Sequence, residues 1–383
     1  MRILLVNQSS GHLFNPIVAS LLRRGHRLTF LAGSIDGPIP AGSPTAPGEL
    51  EQLQAVAYRR ETALLRLITW GLFSLQLALL LLRRGRRFDR VLLVSNPPST
   101  PLLARLLLPR YALLLYDLYP QVLRDMGMLR PTGWAYRLLN RAMAAAVGRA
   151  ELVVVLSEAM RQEVIEGCRA GGQAAPGPER LLVVPPWADG QLFQPAAAPP
   201  AADGPWVVLY GGNLGLTHPL DPLLEAVANL SRQHPIRLEL VAAGARLRAL
   251  RQRWQNHGAI RFLPLEPPAQ HGRRLQTVQL AAVCLEPQAS GASLPSKSVA
   301  ALACGTPLLV IARADSALVQ MVEQHRCGIW VEPEDRQGLE HQLAELMADP
   351  RRLARLRNHA LEASAAFSDR RADDLVERWL GQA

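Results

Sequence analysis

Apolar and polar residues follow one another along this chain in the rhythm of alternating strands and helices. The chain opens with an apolar run at residues 3–6, a polar loop at 7–15, a helix that ends at Gly25, and a second apolar run at 28–32. Short apolar runs bounded by turn residues are typical of buried parallel strands, with helices as the crossovers between them. The pattern predicts a β-α-β unit whose first loop follows the carboxyl end of a strand, where such folds bind ligands.

The same rhythm continues to the end of the chain. Further strands are predicted at residues 90–94, 112–116, 152–156, 181–184, 206–210, 237–242, 260–263, 281–285, 308–311 and 328–331. Residues 34–49 are rich in glycine, proline and alanine, which predicts a loop. Residues 364–380 predict an amphipathic helix.

A Pro/Ala-rich stretch at residues 194–205 interrupts this rhythm and is typical of a linker. We therefore expect an α/β protein with two Rossmann-like, doubly wound parallel-sheet domains at residues 1–193 and 206–363. The remaining residues, 364–383, are expected to form a helix that packs back on the first domain.

One predicted helix, at residues 64–82, is apolar throughout and flanked by arginines. At 1.5 Å per residue it is about 28 Å long, enough to cross a bilayer. It lies between two strands that are expected to share one sheet, however, and a single crossing would leave those strands on opposite sides of the membrane. Two interpretations remain. Residues 64–87 form either a helix that lies on an anionic membrane, with Trp70 and the arginines at headgroup level, or a buried crossover helix.

Lys297 is the only lysine among 42 basic residues. It follows Pro295 and Ser296 at the predicted start of a helix that ends at Gly305, with Ser293 or Ser296 available as a cap. A cation there opposes the helix dipole unless an anion is bound as well. The position therefore indicates either a phosphate site or an ordinary solvated lysine.

A second glycine-rich turn follows the strand at 206–210. It comprises Gly211, Gly212, Asn213, Leu214 and Gly215. Glycines allow backbone amides to approach a phosphate closely. Together with Lys297, this turn predicts that the second domain binds a phosphate-containing ligand.

Composition narrows the class of protein. The formal net charge is +10, but the arginines are spread through helices without interleaved aromatic residues, which argues against a nucleic-acid partner. The four cysteines, Cys168, Cys284, Cys304 and Cys327, are scattered along the chain. We therefore expect neither a metal site nor disulfides, and we expect the protein to reside in a reducing cytoplasm. No secretory signal is evident after Met1.

Several short motifs, in this order and spacing, resemble the family 4 glycosyltransferases of the GT-B fold that build bacterial exopolysaccharide, O-antigen and colanic acid. They are MRILLVNQ, NPPS, YDLYPQ, VVLSEAM, VVPPWAD, YGGNLG, LPSKSVAALACGTPLLVIA and CGIWVEPED, and they span nearly the whole chain. The resemblance implies two Rossmann-like domains that face an interdomain cleft. It also implies a retaining, metal-independent transferase without a cofactor, which moves a sugar from a UDP- or GDP-sugar to a lipid-linked or polysaccharide acceptor.

The resemblance also assigns candidate roles to residues. The glycine turn and Lys297, with Pro295, Ser296 and Ser298, would hold the donor diphosphate. Near the base of the nucleotide it would place Gly244, Leu263, Pro264 and Leu265. Asp117, in the YDLYPQ motif, would position the acceptor. Such an enzyme would work in the cytoplasm, peripherally on the inner face of the plasma membrane.

The chain departs from the family pattern in two motifs. Many relatives carry a Glu-x7-Glu pair, whose positions here hold Ala292 and Ala300, and Thr217-His218 replace the basic residue that often follows the glycine turn. These departures favour an alternative, a degenerate GT-B protein that binds a sugar nucleotide or a partner without catalysis. A nucleotide-sugar epimerase of the same fold is a third possibility, although no carboxylate pair stands out for acid–base chemistry.

Overall fold

The computed structural model describes residues 1–37, 39, 49–59, 62–125, 127–198, 200, 204–214, 220–244, 246–285 and 294–381. Contacts divide the chain into two compact units. The first unit comprises residues 1–185 and 370–383, and the second comprises residues 186–369. The division falls eight residues before the predicted linker, because residues 186–193 contact the second unit's own helices: Leu192 lies directly against Gly272.

The strands, numbered in chain order, form two sheets. They are β1 Arg2–Ser10, β2 Arg27–Ile35, β3 Glu49–Gln54, β4 Arg90–Val94, β5 Ala112–Leu115, β6 Leu152–Val155, β7 Leu181–Val183, β8 Trp206–Asn213, β9 Ile236–Ala243, β10 Ile260–Leu263, β11 Leu280–Cys284, β12 Leu308–Ile311 and β13 Gly328–Val331. Within the described residues, the first sheet has the order β3-β2-β1-β4-β5-β6-β7 and the second the order β10-β9-β8-β11-β12-β13.

Every strand pair in both sheets is parallel. In each sheet the order reverses beside the first strand of the unit, β1 or β8, which is the doubly wound arrangement. The predicted fold class is confirmed by this topology. Loops that follow the carboxyl ends of β8, β9 and β11 therefore meet along one edge of the second sheet.

Helices make the crossovers. They are α1 Asn15–Arg23, α2 Ala63–Arg84, α3 Ser99–Leu107, α4 Gln121–Asp125, α5 Trp134–Arg149, α6 Glu158–Ala170, α7 Asp221–Leu230, α8 Leu247–Trp254, α9 Pro268–Leu275, α10 Ser296–Ala303, α11 Ala317–His325, α12 Arg336–Ala348, α13 Pro350–Ser364 and α14 Arg370–Gly381. In the first unit, α2 packs on α3, α3 on α5 and α5 on α6, while α1 packs on α14. Right-handed crossovers place these two groups on opposite faces of the sheet.

Helix α2 has one face in the core and one face exposed. Phe73 and Leu77 are fully buried and Leu81 nearly so, whereas apolar side chains on the opposite face are 41% to 69% exposed. The exposed ones are Leu64, Leu67, Ile68, Leu72, Leu75, Leu79 and Leu82. Among the described residues, α2 is the one helix long and apolar enough to cross a membrane. Because β1 and β4, on either side of it in the chain, pair directly, the crossing interpretation is incompatible with the sheet.

Two local predictions were wrong, and one strand was missed. Most of the predicted loop at 34–49 lies outside the described residues. The strand after it, β3, was not predicted, because its sequence ELEQLQ is largely exposed and lacks an apolar run. Residues 211–213 are not a turn but extend β8, since Gly211 to Asn213 pair with the end of β9. The tail helix is broken, because Ser368 pairs with Ala188 in extended conformation between α13 and α14.

Candidate functional site

Helix α10 places Lys297 at its second residue. Pro295 is the N-cap in extended conformation, so the helix start has no side-chain cap at this position. Ser298 instead donates to the carbonyl of Pro295 at 2.6 Å. The other predicted cap, Ser293, lies outside the described residues. Gly305 ends the helix with a φ of +70°, which is accessible to glycine at little cost.

The ammonium of Lys297 lies against a buried aromatic ring. Its Nζ donates to the hydroxyl of Tyr210 at 3.2 Å and lies 4.3 Å from the ring centroid. Tyr210 on β8 and Cys284 at the end of β11 are both fully buried. β8 and β11 are neighbours in the sheet, so the lysine reaches across their carboxyl ends.

Burial lowers the pKa of Lys297 to about 8, and the neighbouring Cys284 thiol opposes that shift only in part. The residue as a whole is partly exposed, while its Nζ lies against the buried Tyr210. Among the described residues, no carboxylate forms an ion pair with this ammonium. A cation held in that way, without a described carboxylate beside it, favours the approach of an anion.

Gly211 is fixed by a histidine that the sequence analysis missed. A β-carbon at Gly211 would lie 2.3 Å from Cε1 and 2.5 Å from Nε2 of His271, so the imidazole occupies the space of the absent side chain. Burial lowers the pKa of His271, and Arg274 and Lys297 act in the same direction although Glu266 opposes them. The imidazole is therefore neutral at pH 7, with both a donor and an acceptor nitrogen.

A charge network anchors the helix that carries His271. The Arg274 guanidinium donates from Nε to both carboxylate oxygens of Glu266 at 3.0 Å. It also donates from Nη1 to Glu239 on β9 at 2.8 Å. These hydrogen bonds raise the pKa of Arg274. They tie α9 to the sheet and so fix the imidazole over Gly211, a relationship without any signature in the local sequence.

The predicted donor-binding residues of the second unit gather along one sheet edge. Gly211 and Gly212 end β8, Gly244 follows β9, and Leu263 ends β10, with Pro264 and Leu265 exposed after it. The amide of Leu214 donates to the carbonyl of Ala243 at 2.7 Å, which holds the end of β8 beside β9. Gly215, the side chain of Asn213 and Thr217-His218 lie outside the described residues.

Asp117 belongs to the first unit, where it follows β5. Ser95 Oγ accepts from the amide of Asp117 at 3.2 Å and donates to its carbonyl at 2.9 Å. Those bonds fix the loop between β5 and α4. Burial raises the pKa of the adjacent Tyr116, so its hydroxyl stays neutral. Asp117 is partly buried at the carboxyl edge of the first sheet.

One cavity lies elsewhere in the second unit. It has a volume of about 520 Å³ and opens beside edge strand β13, with Trp330, Glu332 and Arg352 in its lining. None of the predicted donor-binding residues borders it. Within the described parts of the chain, no group of three or more His, Cys, Asp or Glu side chains is placed to hold a metal ion.

Family models match most of the chain in two segments. The model described as "Glycosyl transferase 4-like domain" matches residues 12–187, and the model described as "Glycosyl transferases group 1" matches residues 196–363. Among curated proteins, a probable glycosyltransferase of Pseudomonas aeruginosa, WbjE, is 24% identical over 88% of this chain and 86% of its own length.

Solved structures with the same fold align with nearly the full length of the chain. WaaG, a glycosyltransferase involved in lipopolysaccharide biosynthesis, aligns with a TM-score of 0.70 and 16% identity over 98% of this chain and 99% of its own. Anabaena HepE, solved in complex with UDP and glucose, aligns with a TM-score of 0.69 and 16% identity over both complete chains.

Proposed function

The chain belongs to the GT-B glycosyltransferases of the family 4 type, and on that basis we propose that it moves a sugar from a UDP- or GDP-sugar to a lipid-linked or polysaccharide acceptor. The reaction is retaining and metal-independent and serves cell-surface polysaccharide synthesis. Support comes from WaaG, which acts in lipopolysaccharide biosynthesis, and from HepE, which binds UDP and glucose. A glycosyltransferase of this family uses a nucleotide-sugar donor and a glycan acceptor.

The position of Lys297 is the observation that carries this proposal. The chain retains one lysine, in the first turn of α10, with its ammonium enclosed beside Tyr210 and Cys284. The free amides of that turn and the ammonium both favour a bound anion. A diphosphate there would compensate the cost of burying the cation.

The same charge would favour catalysis. Negative charge develops on the departing nucleoside diphosphate as the bond to the sugar breaks, and a preorganised cation and helix amides stabilise that charge. Pro295, Ser296 and Ser298 shape the helix start, and Gly211 and Gly212 near the end of β8 would contribute backbone amides. Gly244, Leu263, Pro264 and Leu265, on the two strands beyond β8, would border the nucleotide base. Asp117 would position the acceptor.

The exposed apolar face of α2 supports contact with an anionic membrane. Helices α3 and α5 continue that surface with Leu106, Trp134 and Leu138, which are 61% to 78% exposed. Exposed arginines border it, namely Arg83 in the last turn of α2, Arg86 and Arg87 after that helix, and Arg137 and Arg141 on α5. Apolar side chains beside arginines, with an exposed tryptophan, fit the interface of a bilayer with anionic lipids. The protein would then act peripherally on the cytoplasmic face of the plasma membrane.

Ala300 favours a second candidate function. It is buried in α10, where many relatives carry the second glutamate of their motif; the first position, Ala292, lies outside the described residues. A chain that lacks this pair would bind a sugar nucleotide or a partner without transferring sugar. Turnover with a panel of UDP- and GDP-sugars separates the two functions, because nucleotide release accompanies transfer only.

Thermal denaturation in the presence of nucleotides tests the donor site. A ligand at a hundred times its dissociation constant adds about 2.7 kcal/mol to the free energy of unfolding. UDP, GDP or one of their sugars is expected to stabilise the wild type but not Lys297→Ala, with partial stabilisation of Lys297→Arg. Arg351→Ala, which removes an exposed charge at the start of α13, is the control. Equal stabilisation of the wild type and Lys297→Ala would refute the site.

A further inference from the structure

A cluster of aromatic residues and one arginine lies at the carboxyl edge of the first sheet. We call Tyr58, Arg66, Trp70 and Tyr119 the aromatic cluster. The rings of Tyr58 and Trp70 are stacked with centroids 5.9 Å apart and an interplanar angle of 6°. Trp70 meets Tyr119 edge to face at 6.3 Å and 89°. Tyr119 follows Asp117 by two residues in the loop after β5, so the cluster lies beside the acceptor-side loop.

Buried hydrogen bonds hold the cluster in place. The side-chain amide of Gln8, at the end of β1, donates to the carbonyl of Val56 at 3.1 Å and to that of Thr69 at 3.1 Å. The amide of Val56 donates in turn to Gln76 of α2 at 2.9 Å. The segment that carries Tyr58 and the helix that carries Trp70 are thus tied to one strand end. Trp70 is therefore fixed in a structured site by its ring contacts.

Two polar atoms of the cluster, one on Trp70 and one on Arg66, are buried without a hydrogen-bond partner among the described residues. In the described parts of the chain, Nε1 of Trp70 and Nε of Arg66 have no hydrogen-bond partner, and neither has the hydroxyl of Tyr116 after β5. Such atoms are uncommon in folded proteins because an unmade hydrogen bond costs about 1 to 3 kcal/mol. Arg66 also lacks an ion pair with any described carboxylate. Within the cluster, Trp70 and Arg66 thus each hold a buried N–H donor for which the described residues supply no acceptor.

The chemistry of the cluster matches a phosphorylated sugar. A guanidinium binds phosphate oxygens with two parallel hydrogen bonds. Aromatic faces bury large apolar areas, and the C–H face of a sugar ring packs on such a surface. Tyr58, Arg66 and Trp70 are each partly exposed, so a ligand can reach them. Burial raises the pKa of Tyr119; Asp117 and Tyr58 add to that effect and Arg66 opposes it. The Tyr119 hydroxyl therefore stays neutral.

The cluster and the exposed apolar face share the first two turns of α2. Leu64, Leu67 and Ile68 are 46% to 68% exposed and alternate with Arg66 and Trp70 along the helix. A ligand whose hydrocarbon chain lies in a bilayer against these leucines would bring its phosphate to Arg66 and its first sugar to the stacked rings. We propose that the aromatic cluster binds the phosphate and first sugar of a lipid-linked acceptor. This inference rests on the proposed transferase function, since it names the acceptor class.

Binding of farnesyl diphosphate to the full-length protein, measured by calorimetry, tests the site. Arg66→Gln is expected to raise the dissociation constant about tenfold or more, as is usual for loss of a charge-assisted hydrogen bond. Arg83→Gln, at the exposed end of the same helix, is the matched control and is expected to change it less than about twofold. Arg66→Lys keeps the positive charge but loses the two parallel N–H donors of the guanidinium. Its dissociation constant is expected to lie between those of Arg66→Gln and the wild type. Thermal denaturation of each variant shows that it is folded.

Three further measurements identify the source of the phosphate and the role of the aromatic rings of the cluster. Inorganic pyrophosphate is expected to bind much more weakly than farnesyl diphosphate; equal binding would refute a lipid ligand. Sedimentation with phosphatidylglycerol vesicles is expected to be equal for Arg66→Gln and Arg83→Gln. A selective loss in Arg66→Gln would assign Arg66 to bilayer headgroups and overturn the acceptor site. Trp70→Leu is expected to raise the KM for a lipid-linked acceptor more than it lowers kcat.

The outcome is separable from that of the proposed function. Nucleotide stabilisation reports on the second unit and is expected to be unchanged in Arg66→Gln. If no nucleotide stabilises the wild type while farnesyl diphosphate binds through Arg66, the donor reaction is refuted and the lipid phosphate site stands. If nucleotides stabilise it and Arg66→Gln binds farnesyl diphosphate like the wild type, only the acceptor site is refuted.

Discussion

The ammonium of Lys297 rests on the ring of Tyr210, 4.3 Å from its centroid, and donates to its hydroxyl at 3.2 Å. A lysine on the face of an aromatic ring is attracted by the electron density of that face. The contact is weak compared with an ion pair to a diphosphate. Tyr210 therefore holds the cation in place while the site is empty and can release it to an anionic ligand.

The affinity for UDP should depend on pH through Lys297. Because its pKa is about 8, raising the pH through that value removes the positive charge that binds the diphosphate. The apparent affinity is expected to fall by about tenfold per pH unit above this point. Lys297→Arg stays charged, so its affinity for UDP is expected to remain constant up to about pH 10. Titration calorimetry at several pH values measures both profiles, and parallel profiles would contradict the role of the ammonium.

Gly211→Ala should destabilise the second unit through His271. The added methyl would lie 2.3 Å from the imidazole, which α9 holds in place, so we expect a loss of about 1 to 3 kcal/mol as for other overpacked sites. His271→Ala in the same chain should restore most of the stability. Gly258→Ala, with nothing within 4 Å of the added carbon, is the control. Failure of the double variant to recover in chemical denaturation would show that the contact is not the cause.

Replacing exposed leucines of α2 by serine should release the protein from vesicles. Leu72, Leu75 and Leu79 are 41% to 56% exposed, so their triple replacement removes apolar contact with lipid and leaves the core intact. Phe73 must be kept, because it is fully buried. Sedimentation with phosphatidylglycerol vesicles is the measurement, and Leu265→Ser, at an exposed leucine of the second unit, is the control. Unaltered sedimentation would mean that this face does not meet the membrane.

Asp373→Asn should loosen α14 from α1. Asp373 accepts from Ser20 at 2.5 Å and pairs with Arg23 and Arg24 at 2.9 Å. Burial opposes ionisation, but these hydrogen bonds outweigh it and lower the pKa of Asp373. Its stabilising effect is thus present above the ordinary carboxyl pKa and is lost as the pH falls through the lowered value.

The loss in Asp373→Asn is expected to be at most about 1 kcal/mol at pH 7, since the side chains are partly exposed. Asp374→Asn, at the exposed neighbouring position, should change the stability less. Thermal denaturation at pH 7 and at pH 3 measures the effect, and the two variants should converge at the lower pH. An equal difference at both pH values would contradict the electrostatic origin.

The order of strands and helices was largely predictable. Central parallel strands are buried on both faces, so each appears as a short apolar run, as at β4 and β12. The edge strand β3 was missed because it is exposed and mostly polar. The break before α14 was missed because it depends on the pairing of Ser368 with Ala188, which are 180 positions apart in the chain.

Candidate site residues were predictable only where their local sequence is unusual. Lys297 stands out as the single lysine, at a helix start. Gly211, Gly212 and Gly215 stand out because three glycines fall within five residues. His271 and Arg274 have no such signal, because a histidine and an arginine on a polar helix are typical of an exposed surface. Their roles arise from contacts with Gly211 and Glu239, on strands far from them in the chain.

The sequence by itself determined the two doubly wound units and the position of Lys297 at the start of a helix. The spacing of apolar residues, the signals of a helix start and the composition are all local properties of the sequence. Only the tertiary structure decided which face of α2 is buried, that Trp70 stacks on Tyr58, and that an imidazole fills the space above Gly211. Each of these depends on side chains from separate elements that occupy one volume. Apolar leucines are equally suited to a core and to a membrane surface, and packing alone separates Phe73 from Leu72.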